Sequence, residues 1–305
     1  MKIGVLMGGI SSEREISLQS GEEVFNNLDR DKYEVEKIVI NNKRDVIEKC
    51  KGIDFAFLAL HGAFGEDGSV QNLLEMMEIP YSGAGVLCSA ICMNKDVSKR
   101  ILKSEDITTP NWYTAIRGEA IDYEKAEAIG YPMFVKPNSG GSSVATFKVS
   151  NREELTHAIN EGFKWDDQVM VEEFIRGEEI TSFIMNGEVY PTVRITANKG
   201  DFFDFASKYD DGGASEEVVT YPEDIENQIS EISKACYRLF NCQVYVRIDM
   251  ILREGKAYVL ELNTLPGMTK NSLIPKSARA KNLSYRDLLD KIIEYSIQVR
   301  GCLKN

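Results

Sequence analysis

The stretch Val246–Thr269, VRIDMILREGKAYVLELNTLPGMT, restricts the fold more than any other part of the chain. Residues 246–252 alternate, setting Arg247 and Asp249 on one face and Val246, Ile248 and Met250 on the other. Residues 257–263 alternate again, with Glu261 and Asn263 sharing a face. Two such strands in succession read as a hairpin, and the parity of its loop decides which faces coincide. A loop with an odd number of residues, such as Glu254-Gly255-Lys256, sets Asp249 opposite Glu261 and Arg247 near Asn263. A two-residue loop sends the two acids to opposite faces, because a one-residue slip flips every side chain.

Two carboxylates and a carboxamide on one sheet face are hard oxygen donors suited to Mg²⁺. A plain hairpin with a solvated polar face has the same spacing. The following segment, Asn263-Thr264-Leu265-Pro266-Gly267-Met268-Thr269, separates the two readings. Pro266 and Gly267 stand where a backbone turns sharply and presents N–H groups to a ligand. Arg247 beside them can stabilise an oxyanion. The combination reads as a magnesium–phosphate site.

At 305 residues the chain needs two or three compact units, and 43% hydrophobic with 28% charged residues is an ordinary globular balance. A net charge of −12 argues against a nucleic-acid or anionic-membrane surface. The opening MKIGVLMGG is too short for a signal-peptide core, and no run of about 18 apolar residues follows, so a cytoplasmic protein is expected. Cys50, Cys88, Cys92, Cys236, Cys242 and Cys302 form no CxxC pattern and read as reduced, buried small residues. Only His61 and His157 are present, which excludes a histidine-rich zinc site, and Cys88 with Cys92, one helical turn apart, lacks a second ligand pair.

Residues 2–7, KIGVLM, suit a buried parallel strand. Gly8-Gly9 breaks the run, and Ser11-Ser12-Glu13-Arg14-Glu15 opens an amphipathic helix to about Leu28. Such a helix start binds an anion or, through Glu13, a cationic amine. No GxGxxG is present, so a dinucleotide fingerprint is absent. Strand 34–40, helix 43–50 and strand Phe55–Leu60 lead to the glycine-rich loop His61–Gly68, at the carboxyl edge of a doubly wound sheet. His61 is a site residue or a polar group buried under that loop. Tyr81–Gly85 closes the first domain, and a helix then reaches Lys95.

The second domain centres on Met133–Val144, where a strand carries Lys136 outward and a Gly/Ser-rich loop turns back. Its small residues let backbone N–H groups approach phosphate oxygens, and Lys136 supplies a point charge, or the segment is a surface hairpin. GxxxxGK[ST] is missing. Strand Val169–Glu173 can offer backbone groups to an adenine ring, with Phe174 and Ile175 packing on it. The third domain opens with strands 180–185 and 189–195 joined at Asn186-Gly187, a hairpin signal. Residues 202–222 read as an irregular lid or binding loop. Helix 223–240 precedes the central hairpin and helix 284–299 ends the chain.

Lysine strand and glycine loop, acid-ended strand, and Asp249/Glu261/Asn263 occur in the order of an ATP-grasp enzyme. The whole chain resembles the D-alanine–D-alanine ligase family through GGISSEREISLQSG (8–21), HGAFGEDGSVQ (61–71), VKPNSGGSSV (135–144), SKYDDG (207–212), RIDMIL (247–252) and ELNTLPGMTKNSLIP (261–275). The resemblance implies an α/β, three-domain ATP-grasp fold: a doubly wound parallel-sheet domain (1–94) and two α+β domains (95–178 and 179–305). It implies ATP-dependent joining of two D-alanine molecules through an acyl phosphate, for peptidoglycan precursor synthesis, in a homodimer.

It also implies residue roles. Glu13 binds the first ammonium and joins Ser142 and Tyr209 in a latch for the lid, while His61 lies near the first substrate's carboxylate. Lys95, Lys136 and Lys208 contact ATP phosphates; Glu172, Ile175 and Glu179 hold adenine and ribose. Asp249, Glu261 and Asn263 ligate two Mg²⁺ ions, with Mn²⁺ as a substitute. Arg247 and the Gly267 N–H form the oxyanion site, and Ser272 with Leu273 receives the second D-alanine's carboxylate.

Two positions depart from the family pattern. Ala145 stands where glycine is frequent, and Glu173 where some relatives carry lysine. The resemblance further implies, through Tyr209, D-alanine rather than D-lactate as second substrate. The competing readings are a ligase joining D-alanine to D-lactate or D-serine, a catalytically idle ATP-binding protein, and an NAD-dependent oxidoreductase.

Overall fold

In the computed structural model, residues 1–141, 145–197 and 213–301 are described. The apolar run at the start becomes β1 (Lys2–Gly8), the middle of a parallel sheet in which β2 (Glu34–Ile40) and β3 (Phe55–Leu58) flank it. Helix α1 (Arg14–Asn27) packs on β1 so closely that a Cβ at Gly21 would lie 2.5 Å from Met7. Helices α2 (Arg44–Lys49) and α3 (Ser69–Met76) cover the opposite face, where Val46, Val70 and Leu74 join Leu6, Ile38 and Leu58.

Helix α4 (Val86–Met93) runs into α5 (Lys95–Ser104), with Asn94 capping α5 through Val97 N. Four antiparallel strands follow in the order β4 (Trp112–Ile116), β7 (Gln168–Glu173), β5 (Met133–Pro137), β6 (Phe147–Val149). Of α6 (Tyr123–Glu127) and α7 (Arg152–Gly162), α7 buries Leu155, Ala158 and Ile159 against that sheet.

The third sheet is antiparallel: β11 (Ala214–Val218), β10 (Val193–Ala197), β8 (Glu178–Met185), β12 (Tyr245–Arg253), β13 (Lys256–Asn263), with the short β9 (Glu188–Val189) also on β8. Helix α8 (Glu223–Leu239) covers one face through Ile229, Cys236 and the following Phe240. Helices α9 (Leu273–Ala280) and α10 (Tyr285–Gly301) close the chain. Leu288, Leu289 and Ile292 of α10 share one continuous core with Ile3 and Val5 of β1 and Phe183 and Tyr245 of the third sheet.

Two segments differ from the sequence expectation. The expected strand 189–195 is broken into β9 and β10 around Pro191, which has no N–H for the ladder. The expected irregular segment 202–222 contains a strand, Ala214–Val218, paired along its length with β10. Its earlier part, 202–212, lies outside the described residues.

Candidate active site

The hairpin β12–β13 resolves the parity question by a route of its own. Its loop has two residues, Glu254 and Gly255, with φ of 51° and 77°, the left-handed pair that a tight turn between twisted strands needs. That loop alone would put Asp249 and Glu261 on opposite faces. A β-bulge intervenes: Met250 pairs with Val259 while Asp249 pairs with Glu261, so Leu260 is the extra residue. Ala257 and Val259 thereby stay buried, and Arg247 stands opposite Asn263.

Asp249 is 7% exposed and fully engaged. Thr181 Oγ1 donates to its Oδ1 at 2.7 Å, and Arg247 donates through Nε at 2.9 Å and Nη2 at 2.6 Å. Burial opposes the Arg247 charge, but Asp249, Glu261 and Glu66 outweigh it, and its pKa is raised. Asn263 Nδ2 lies 3.5 Å from Asp249 Oδ2, and Lys95 Nζ lies 3.3 Å from Glu261 Oε2. Two carboxylates and a carboxamide beside two cationic side chains form an all-oxygen donor set. A hard divalent cation takes such a set when phosphate oxygens complete its shell.

Lys95 is presented by the first turn of α5, and its Nζ donates to Gly140 O at 2.5 Å. Asn138, 1% exposed, clamps the glycine loop to that helix start. It accepts from Asp96 N at 2.8 Å, donates to Asn94 Oδ1 at 3.0 Å, and through its carbonyl accepts from Lys95 N at 3.2 Å. Deeper in the second sheet, Glu172 lies between Lys136 Nζ at 2.7 Å and Lys99 Nζ at 2.8 Å. Burial acts against all three charges. At Lys99 burial wins and the pKa falls to about 8; at Lys136 the attraction of Glu172 and Glu261 wins and the pKa is raised; the two lysines keep that of Glu172 low.

Glu13, at the start of α1, is 9% exposed. Glycines make room for its carboxylate: a Cβ on Gly62 or Gly141 would lie 2.6 or 2.7 Å from Glu13 Oε2. Close by, Glu66 Oε2 accepts from Gly62 N at 2.9 Å. Burial, and then repulsion from Glu13, push the Glu66 carboxyl up to about 8. His61 is buried and its pKa is lowered to about 4, chiefly by burial. The neutral ring donates from Nδ1 to Leu265 O at 2.9 Å, and its Nε2 accepts from Ser20 Oγ at 3.2 Å. It therefore ties the loop after β13 to α1.

That loop leads to Ser272, whose Oγ is 2.9 Å from Thr269 Oγ1 and whose position precedes the first turn of α9. Glu13, His61, Lys95, Glu179, Arg247, Asp249, Glu261, Asn263, Gly267, Ser272 and Leu273 line one cavity of about 580 Å³. Lys136, Glu172 and Ile175 are not among its lining residues; the first two form the buried pair described above, and Ile175 is 6% exposed. Ser142, Lys208 and Tyr209 lie outside the described residues. Glu173, which stands where some relatives carry lysine, accepts from Asn111 Nδ2 at 2.8 Å, and its backbone N donates to Asn111 O at 2.8 Å. Ala145 has φ of 54°, the left-handed region where a Cβ is disfavoured.

Sequence reasoning missed Glu66, Lys99, Asn138 and Lys276. Glu66 and Asn138 sit inside motifs already singled out, and Lys99 follows Lys95 at the i,i+4 spacing of one helix face. Lys276 lines the cavity and pairs with Glu216 at 2.6 Å, a contact across the sequence that no local pattern announces.

The family described as D-ala D-ala ligase C-terminus matches residues 101–294, and D-ala D-ala ligase N-terminus matches residues 2–49 and 42–84. The chain is 54% identical over 299 residues to a D-alanine–D-alanine ligase of Clostridium botulinum, covering 98% of this chain and 99% of that one. Identity is 55% over 299 residues, with the same coverage, to that of Clostridium perfringens strain SM101. The D-alanine–D-alanine ligase from Bacillus anthracis complexed with ATP superposes with a TM-score of 0.91 at 45% identity, covering 99% of both chains. A D-Ala:D-Ser ligase from Enterococcus faecalis superposes at 0.82 with 29% identity, over 97% of this chain and 99% of that one.

Proposed function

The chain belongs to the D-alanine–D-alanine ligase family, and from that premise we propose that it joins two D-alanine molecules into D-alanyl-D-alanine at the expense of ATP, releasing ADP and phosphate. The observation that carries the reading is the convergence of Lys95, Arg247, Asp249, Glu261 and Asn263 on one cavity that also holds Glu13 and the start of α9.

The chemistry follows from residue types. A carboxylate is a poor acyl donor, so the first D-alanine attacks the γ-phosphate of ATP and becomes an acyl phosphate. Lys95, Lys136 and Lys208 offset the phosphate charge, while Glu172, Ile175 and Glu179 hold the nucleoside. Asp249, Glu261 and Asn263 hold Mg²⁺, which supplies charge neutralisation of the phosphates. Glu13, with Glu66 beside it, receives the first ammonium, and neutral His61 keeps the loop after β13 in place beside that substrate's carboxylate. The second amine then attacks, and Arg247 with the Gly267 N–H stabilises the tetrahedral oxyanion. Ser272 and Leu273, at the positive end of α9, receive the second carboxylate. Ser142 and Tyr209 complete a latch with Glu13 that keeps water from the acyl phosphate.

Divisions at 94/95 and 178/179, a homodimer, a cytoplasmic setting and a role in peptidoglycan precursor synthesis belong to the same reading. Among the described residues no helix is long and apolar enough to cross a membrane. The test is phosphate release from ATP with Mg²⁺ in the presence of D-alanine, L-alanine, or D-alanine with D-serine or D-lactate, with products identified by mass. One phosphate per D-alanyl-D-alanine, and none with L-alanine, is expected. A mixed product formed in preference, or no D-alanine-dependent release, overturns the substrate assignment.

A further inference from the structure

Three cysteines that the proposed reaction does not use meet beside the Lys95 end of the cavity. Cys88 and Cys92 lie one turn apart on α4, and Cys242 lies beyond the end of α8, just before β12. The Cys88 sulfur is 3.5 Å from that of Cys242 and 3.9 Å from that of Cys92. All three are buried, at 2%, 5% and 7% exposure, in the core between α4, α8 and the third sheet. Cys92 is also part of the cavity wall, so a small oxidant entering the cavity is one side chain away from Cys88.

A core that needed only small apolar volume would be served by alanine or valine at each position. Three sulfurs in contact do more. A disulfide needs sulfurs about 2.05 Å apart, so the Cys88–Cys242 pair has to close by roughly 1.5 Å. The i,i+4 pair on α4 is the worse candidate, because helical Cβ atoms at that spacing are about 5–6 Å apart and a disulfide needs about 3.8 Å. The Cys88 S–H donates to the Cys242 sulfur, so these two sulfurs already face each other.

We propose that Cys88 and Cys242 are a site of reversible disulfide formation driven by hydrogen peroxide. The Cys88 sulfur, giving up its proton, attacks one peroxide oxygen; the O–O bond breaks, the leaving hydroxide takes that proton as water, and a sulfenic acid remains. The Cys242 sulfur then attacks the Cys88 sulfur; the S–S bond forms and the sulfenic oxygen leaves as a second water. Two thiols are oxidised and one peroxide is reduced. The bond ties α4, which leads directly into Lys95, to the segment that leads into Arg247 and Asp249. It therefore fixes the spacing of the two sides that meet at Lys95 and Glu261.

The test treats the full chain with hydrogen peroxide and reads intact mass and non-reduced peptides. The expected result is a loss of about 2 Da, reversed by dithiothreitol, with Cys88 linked to Cys242. The loss disappears in Cys88→Ser and in Cys242→Ser and persists in Cys92→Ser. Three outcomes overturn the proposal: gain of about 16 or 32 Da without the loss, a loss that survives Cys242→Ser, or a linkage through Cys302 or Cys50. Resting on the ligase reading, D-alanine-dependent phosphate release falls on oxidation and returns with dithiothreitol. The mass result stands or falls independently of that activity.

Discussion

Glu66→Gln isolates a charge that the fold holds in the wrong form for water. The Glu66 carboxyl is pushed from 4.5 up to about 8, first by burial and then by Glu13, against the pull of the Gly62 N–H and Arg247. Below pH 4.5 the group carries its proton in both folded and unfolded chains, and its contribution to stability is fully present. Between 4.5 and 8 the unfolded chain ionises while the folded chain keeps the proton. Stability relative to a non-titrating glutamine then drains away by about 1.4 kcal/mol per pH unit, levelling off above pH 8. The ceiling for the whole displacement is on the order of 5 kcal/mol. Glutamine keeps the oxygen that accepts from Gly62 N at 2.9 Å, so packing is preserved. Urea unfolding of both proteins at pH 5, 6, 7 and 8, compared by midpoint, should show E66Q gaining on the parent as pH rises. His61 and Lys99 titrate in both proteins and cancel in the difference. Parallel pH profiles, or a gap that widens toward acid, would refute the reasoning.

Lys99→Met leaves Glu172 with Lys136 as its remaining ion-pair partner among the described residues and should lower stability by about 3 kcal/mol, the low end for breaking a buried pair. Denaturant unfolding checks this, and a raised KM for ATP with a smaller change for D-alanine checks the link to the nucleotide. Ala145→Gly releases a left-handed φ of 54° and should stabilise by up to about 1 kcal/mol; an unchanged or lowered melting temperature would show that the Cβ is tolerated for another reason. Thr181→Val removes the 2.7 Å donor to Asp249 and should cost about 1–3 kcal/mol of stability. Calorimetric titration should also find Mg²⁺ binding weakened in the presence of nucleotide.

Much of this is legible in the sequence, and the exceptions have physical causes. The periodicity of Val246–Leu252 and Ala257–Asn263 located the hairpin and named the residues on its polar face. The sequence leaves the loop length open because face-matching is satisfied equally by a longer loop or by a bulge, and the chain stores its extra residue at Leu260. Asn186-Gly187 announced its turn because both φ values, 49° and 80°, demand such residues. Strand Ala214–Val218 was hidden by its acidic sequence, which an edge position next to β10 tolerates. At the site, the groups that local pattern identified lie on strands, in glycine loops or, for Glu13, at a helix start. Lys276 and the Glu13–Glu66 pairing depend on which distant elements meet, and spacing along the chain carries no trace of that.

Storing the extra residue at Leu260 separates the hairpin into two regions with different tolerance for change in length. Between Met250 and Leu260, one residue removed from the bulge leaves Glu261 opposite Asp249, and one added at the turn lengthens the loop while the bulge stays and keeps that pairing. Beyond it, from Glu261 to Gly267, there is no such slack, since any gain or loss slides Asn263 and the following loop past Arg247. Single-residue insertions and deletions should therefore survive selection for activity at the turn end of the hairpin and be eliminated at the other. A library scanning one-residue length changes along 245–267 would draw that boundary at Leu260.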